Sequence, residues 1–158
     1  MVKLQMLALD PRDVAESNAT SLPDPYREPN MQRWNRRLGD HTGLKNFGVS
    51  LTRIVPGGQS SWRHAHTRQD ELVHVLEGEA VLETNAGEQV LEPGQCAGFP
   101  AGTGDAHRFV NRTKADVLLL VVGDRTAGDE VAYTDIDLHG TYGPDGRYRF
   151  TRKDGSAV

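Results

Sequence analysis

The stretch GQSSWRHAHTRQDELVHVLEG, residues 58–78, decides how this chain is read. Two imidazoles, His64 and His66, stand two positions apart, and the carboxylate of Glu71 follows. Gly58 and Gly78 frame them. Successive side chains on a strand point to opposite faces, so His64 and His66 face the same way and can hold one ion. Glu71 lies an odd number of positions beyond His66, which strict alternation would put on the other face. The polar link Thr67-Arg68-Gln69-Asp70 must therefore contain a turn or bulge that resets the parity. A second stretch, GQCAGFPAGTGDAHRFVN at residues 94–111, adds His107. Three histidines and a glutamate on strands that can converge point to a first-row transition metal. The donor set alone does not choose among Fe, Mn, Ni, Cu and Zn.

Outward from this stretch the chain reads as β. Phe47, Val49 and Leu51 alternate with Gly48, Ser50 and Thr52, a period of two. Residues 72–76, 80–84, 89–92, 96–99, 107–111, 117–123 and 147–151 follow as short strands. Gly and Pro turns separate many of them, notably at Pro56-Gly57-Gly58, Asn85-Ala86-Gly87, Pro93-Gly94 and Pro144-Asp145-Gly146. Close strand spacing with almost no helical period predicts a sandwich or barrel. Residues 10–40 carry Pro23, Pro25 and Pro29 and little periodicity. They read as an extended arm with a short turn near residues 32–38, anchored by Tyr26, Trp34 and Leu38.

A length of 158 residues suits one domain with a real core. The net charge of -4 offers no electrostatic case for nucleic acid or an anionic membrane. No apolar run reaches the length of a membrane span, and the N-terminus lacks a signal-peptide pattern. The single cysteine, Cys96, excludes an internal disulfide, sits in an apolar stretch, and is expected to be a buried, inert thiol. A cytoplasmic location is expected.

The two stretches resemble the motifs of the cupin superfamily. Its first motif, G-x5-H-x-H-x3,4-E-x6-G, is matched in full by Gly58, His64, His66, Glu71 and Gly78. Its second, G-x5-P-x-G-x2-H-x3-N, is matched by Gly94, Pro100, Gly102, His107 and Asn111. There the chain has four residues, Thr103 to Ala106, where the motif has two. Segments outside the motifs resemble a group of small single-domain bacterial cupins: Leu38-Gly39-Asp40, Phe47-Gly48-Val49 and Tyr133 to Leu138.

The resemblance implies an all-β double-stranded β-helix, a jelly-roll barrel. Residues 1–41 would form the N-terminal arm, 42–125 the barrel and 126–158 a C-terminal extension packed on it. It implies one divalent transition metal inside the barrel, held by His64, His66, Glu71 and His107, with Asn111 as a turn or supporting residue. The expected function is a metal-dependent enzyme acting on a small polar organic molecule, a sugar or an oxo-acid. Isomerase, decarboxylase, lyase and dioxygenase chemistry all occur on this fold. The alternative is a non-catalytic binding or sensing module with a structural or ligand-docking metal. No general acid or base is assigned: Tyr26, Tyr133 and Glu83 are available, but the sequence places none at the metal. His74 is expected on an unusually apolar outer face with Leu72 and Leu76, which suggests a homodimer. Arg63 should point outward; Arg53 would reach a pocket only if Phe47, Val49 and Leu51 line the barrel.

Overall fold

The structure, a computed structural model, describes residues 8–158. Residues 1–7 of the expected arm lie outside the described residues. The apolar run of β10 (Val117–Asp124) organises the first layer. It pairs antiparallel with β3 (Phe47–Ile54) on one side and β5 (Glu71–Glu77) on the other. Strand β8 (Cys96–Phe99) closes one edge against β5. On the other edge β2 (Arg33–Arg36) pairs with β3, and the two-residue β1 (Glu16–Ser17) with β2. The result is a six-stranded sheet in the order β1-β2-β3-β10-β5-β8.

The second layer has two parts. One is β13 (Tyr148–Thr151), β12 (His139–Tyr142), β11 (Glu130–Tyr133) and β4 (His64–His66), in that order. The other is β7 (Gly87–Leu91), β6 (Ala80–Thr84) and β9 (Arg108–Val110). Single bridges between His64 and His107 and between Gln59 and Val110 join the two parts. Two opposed antiparallel layers with these crossings make the jelly-roll barrel that the sequence implied. Residues 126–158 supply three strands of the layer that carries the two-histidine strand β4.

Alternation decides what each layer buries. Ile54, Val73, Val75, Val117 and Leu119 point inward and pack with Leu82, Leu91 and Phe109 as one core cluster. Leu22, Val131, Tyr133 and Leu138 form a second cluster, with Tyr26 and Trp62 packed on it. The opposite face of the six-stranded sheet stays apolar: Phe47, Leu72 and Leu76 are exposed. Arg53 shares that outer face and pairs there with Glu16 at 2.8 Å and Asp116 at 3.0 Å, so it does not enter the barrel.

Two expectations are corrected. The turn near residues 32–38 is instead strand β2, followed by a short helix, α1 (Leu38–Thr42). Arg-Trp-Asn-Arg has no hydrophobic alternation because Arg33 and Asn35 face a polar cavity. Trp34 lies on the other side, 5.7 Å from the Arg53 guanidinium. Cys96 is exposed rather than buried. It opens an edge strand in register with His74, and that register gives Cys96 the outer face.

The framing residues of the motifs hold the loops between layers. Gly78 has φ +77, and a Cβ there would stand 2.7 Å from the Asp116 carbonyl oxygen. Asn111 is fully buried. Its Nδ2 donates to the carbonyls of Ile54 (2.9 Å) and Ala115 (2.7 Å), and its Oδ1 accepts from the Thr113 N–H and hydroxyl. Asn111→Ala would leave those carbonyls buried without donors, so it should lower unfolding free energy by roughly 3 kcal/mol. A shifted denaturant midpoint at unchanged slope checks this; an unchanged midpoint would mean that water replaces the side chain.

Candidate metal centre

Both histidines of β4 point into the barrel from the second layer, and Glu71 enters from the first. The link Thr67 to Asp70 is the crossing between layers, so parity along one strand does not constrain Glu71. His107 sits immediately before β9. Its N–H donates to the His64 carbonyl at 2.9 Å, and the His64 N–H donates back at 3.1 Å. In the longer link Thr103, Gly104 and Asp105 are exposed and Ala106 is buried, with Gly102 at φ 76 and Gly104 at φ 71. Asp105 in that link accepts the Asn85 N–H. The extra residues therefore leave His107 in place.

The four side chains converge. Glu71 Oε2 lies 3.4 Å from His107 Nε2 and 3.9 Å from Nε2 of both His64 and His66. His64, His66 and Glu71 each offer a donor atom within 4.8 Å of the others.

Neighbouring groups choose which ring nitrogen faces inward. His64 Nδ1 is 2.9 Å from the Trp62 carbonyl, an acceptor only, so Nδ1 carries the proton and donates. His66 Nδ1 is 2.6 Å from Asp129 Oδ2 and donates in the same way. Both Nε2 lone pairs are thereby left for the interior, the usual arrangement behind metal-binding imidazoles. Asp129 is itself fully buried and accepts the N–H groups of Arg68 (2.8 Å) and Gln69 (3.2 Å). His107 stacks on Phe99 with ring centroids 3.5 Å apart, and both its nitrogens are buried without a partner. A buried imidazole with no hydrogen bond is costly. A cation beside its Nε2 removes the part of that cost due to this nitrogen, so these residues fit a metal.

The electrostatics agree. Burial, followed by the charge of His107, pulls His64 down to about 3, which leaves it neutral at physiological pH. Burial works against the Glu71 carboxylate, but His107 and then the other two histidines hold it down to about 2. Burial also opposes a charge on His66, but the Asp129 hydrogen bond and the charges of Glu71, Asp129 and Asp124 together outweigh it, so His66 is raised.

A cavity of about 290 Å³ opens over this cluster. That is near the lower end for small-molecule pockets. The cluster lies at one part of its wall, and Arg33, Asn30, Ser50, Thr52 and Tyr133 line others. Burial pushes the Tyr133 hydroxyl up to about 12, so it is a proton donor at neutral pH. Of the three acid or base side chains open at the sequence level, only Tyr133 reaches this cavity. Tyr26 points its hydroxyl at the Asp137 carbonyl, and Glu83 pairs with Arg108 and Arg112. Arg63 pairs with Asp135 outside the centre. Asp129 and Arg33 were not found by sequence reasoning. Neither belongs to a motif, and only the paired strands bring them here.

A cupin domain family matches residues 50–123. No curated protein matches the chain. Among solved structures, a sugar phosphate isomerase from a cupin superfamily of Silicibacter pomeroyi is 43% identical, with a TM-score of 0.91 over 96% of each chain. A candidate sugar phosphate isomerase from Acidithiobacillus ferrooxidans is 31% identical, with a TM-score of 0.71 over 80% of each chain. The polyketide cyclase RemF from Streptomyces resistomycificus shares the fold at 21% identity, with a TM-score of 0.62 over 76% of this chain and 80% of that one. Two complete layers, two motifs at the layer junction and a relative this similar along nearly the whole length leave one assignment: the chain belongs to the cupin superfamily.

Proposed function

We propose that this protein is a metal-dependent isomerase of a small sugar phosphate, with His64, His66, Glu71 and His107 as the metal ligands. The observation that carries the reading is the unpartnered His107 imidazole, 3.4 Å from a carboxylate that two pre-oriented Nε2 atoms also face. Similarity to the sugar phosphate isomerase of Silicibacter pomeroyi supports the reaction class and the substrate class. A divalent ion bound here supplies a Lewis acid that polarises a carbonyl or hydroxyl oxygen. The protein's own contribution is positional. Phe99 stacks on His107, and Phe109 meets Phe99 edge-on behind it. Ser50 and Thr52 offer hydroxyls to a polar substrate, and the protonated Tyr133 hydroxyl donates to a substrate oxygen. Aldose–ketose isomerisation moves one proton between adjacent carbons and one between their oxygens, so it needs no redox partner.

We also propose that a second copy of the chain covers the outer face of the six-stranded sheet. Exposed Phe47, Leu72 and Leu76 lie there beside Val49, Leu51, Leu118, Leu120 and Val122, a continuous apolar surface across β3, β10 and β5. Such a face is unusual on a monomer. Among the described residues no helix is long and apolar enough to cross a membrane.

Protein purified without added metal should carry one equivalent of a divalent transition ion by elemental mass spectrometry. It should also interconvert aldose and ketose phosphates. His66→Ala should lose both the metal and the activity while its circular dichroism stays that of a folded barrel. Unchanged metal content would refute the ligand set, and an unfolded variant would mean a structural ion. Asp129→Asn keeps the shape but weakens the acceptor that orients His66, so metal affinity should fall about 10–100-fold in a chelator competition. Light scattering should give a dimer mass, and Leu72→Glu should yield monomer. A monomeric parent protein would end the dimer proposal.

A further inference from the structure

The N-terminal arm contributes a cation to the cavity that no ion pair among the described residues uses. Arg33 leads β2 and lines the same cavity as the metal cluster. It is half-buried overall, and its Nε is fully enclosed without a hydrogen-bond partner. Among the described residues no carboxylate lies within ion-pair distance of Arg33, whereas Arg53, Arg63 and Arg108 each have one. Burial pulls its guanidinium below the ordinary value, and nearby Tyr133 and Glu71 offset part of this. Arg37, four residues on, lines the cavity as well and repels Arg33. Keeping a partly enclosed guanidinium without a counter-charge is costly unless something brings one.

Asn30 stands in the turn just before this strand. It is 1% exposed, lines the cavity, and its Oδ1 is buried without a partner. Among the described residues no donor reaches that oxygen, and a ligand hydroxyl is a donor it can accept from. Planar guanidinium donors suit a phosphate or carboxylate, and an amide oxygen suits a hydroxyl.

We propose that Arg33 and Asn30 form an oxyanion subsite of the cavity, which takes the phosphate or carboxylate of a hydroxylated substrate while another part of that substrate faces the metal. The subsite deepens the isomerase reading and rests on it for the identity of the reaction. The arm thus completes the binding site, because neither residue belongs to the two motif stretches.

The test separates the subsite from the metal by using chelator-treated, metal-free protein. Calorimetric titration with inorganic phosphate should give saturable binding at one site, and Arg33→Met should raise the Kd roughly tenfold or more. Exposed Arg152→Met should leave it unchanged. Asn30→Ala should weaken glycerol phosphate more than it weakens inorganic phosphate. Acetate bound in preference to phosphate, with the same dependence on Arg33, upholds the subsite and makes its ligand a carboxylate. Should Arg33→Met fail to fold, Arg33→Lys keeps the charge without the planar fork, and the phosphate Kd should rise roughly threefold. Absence of saturable binding of either anion, or equal binding by the folded Arg33 variant, overturns the subsite. Metal uptake is measured separately on the same variant and should equal that of the parent. Loss of metal binding in the parent protein with Arg33-dependent anion binding intact would refute the metal reading and leave the subsite standing.

Discussion

Two backbone hydrogen bonds between His64 and His107 are the constraint on which this molecule depends. They join the part of the second layer built from β4, β11, β12 and β13 to the part built from β6, β7 and β9. They act together with the Gln59–Val110 bridge and the bond from the Ser60 N–H to the Phe109 carbonyl, which close the same seam. The His64–His107 pairing also sets two imidazoles side by side, with ring centroids 4.8 Å apart. Closure of the fold and assembly of the centre are therefore one event. This explains how the second stretch tolerates a longer link before His107. The histidine is located by the strand it pairs with, and the link need only span the gap.

The polar interior is organised as shells of decreasing freedom. Asp129 is tied by two backbone N–H groups, and it fixes His66. The Trp62 carbonyl fixes His64. Phe99 fixes His107 by stacking alone and leaves its nitrogens unsatisfied. A carboxylate held near 2 amid these rings is compatible with burial only because positive or coordinating partners surround it. Beyond this centre the N-terminal arm adds Arg33, Arg37, Asn30 and the hydroxyls of Thr20 and Ser21 to a wall that also carries Val73, Leu119 and Val131.

Legibility in the sequence followed the source of each signal. Phe47–Ile54 was readable as a strand because apolar and polar side chains alternate along it, with Phe47, Val49 and Leu51 on one face of the sheet. Strand β2 was not, because its inward face meets a polar cavity and its outward face meets Arg53 and the chain near Val14. Cys96 was misjudged for a related reason. Its apolar neighbours suggested burial, but on an edge strand alternation matters more than local composition. Arg53 shared the phase of three apolar residues, yet their face is the outer one, and the direction of a face cannot be read from periodicity.

By itself the sequence determined the all-β class, the two motif stretches and the donor types carried at His64, His66, Glu71 and His107. Those follow from local periodicity and from residue types at short spacings. Only the tertiary structure decided which nitrogen each imidazole presents, that Asp129 orients His66, and that Tyr133 rather than Tyr26 or Glu83 reaches the cavity. Only the tertiary structure, too, brought Arg33 and Asn30 from the arm to the same wall. These relations join residues tens of positions apart, and long-range strand pairing, which leaves no local pattern, is what creates them.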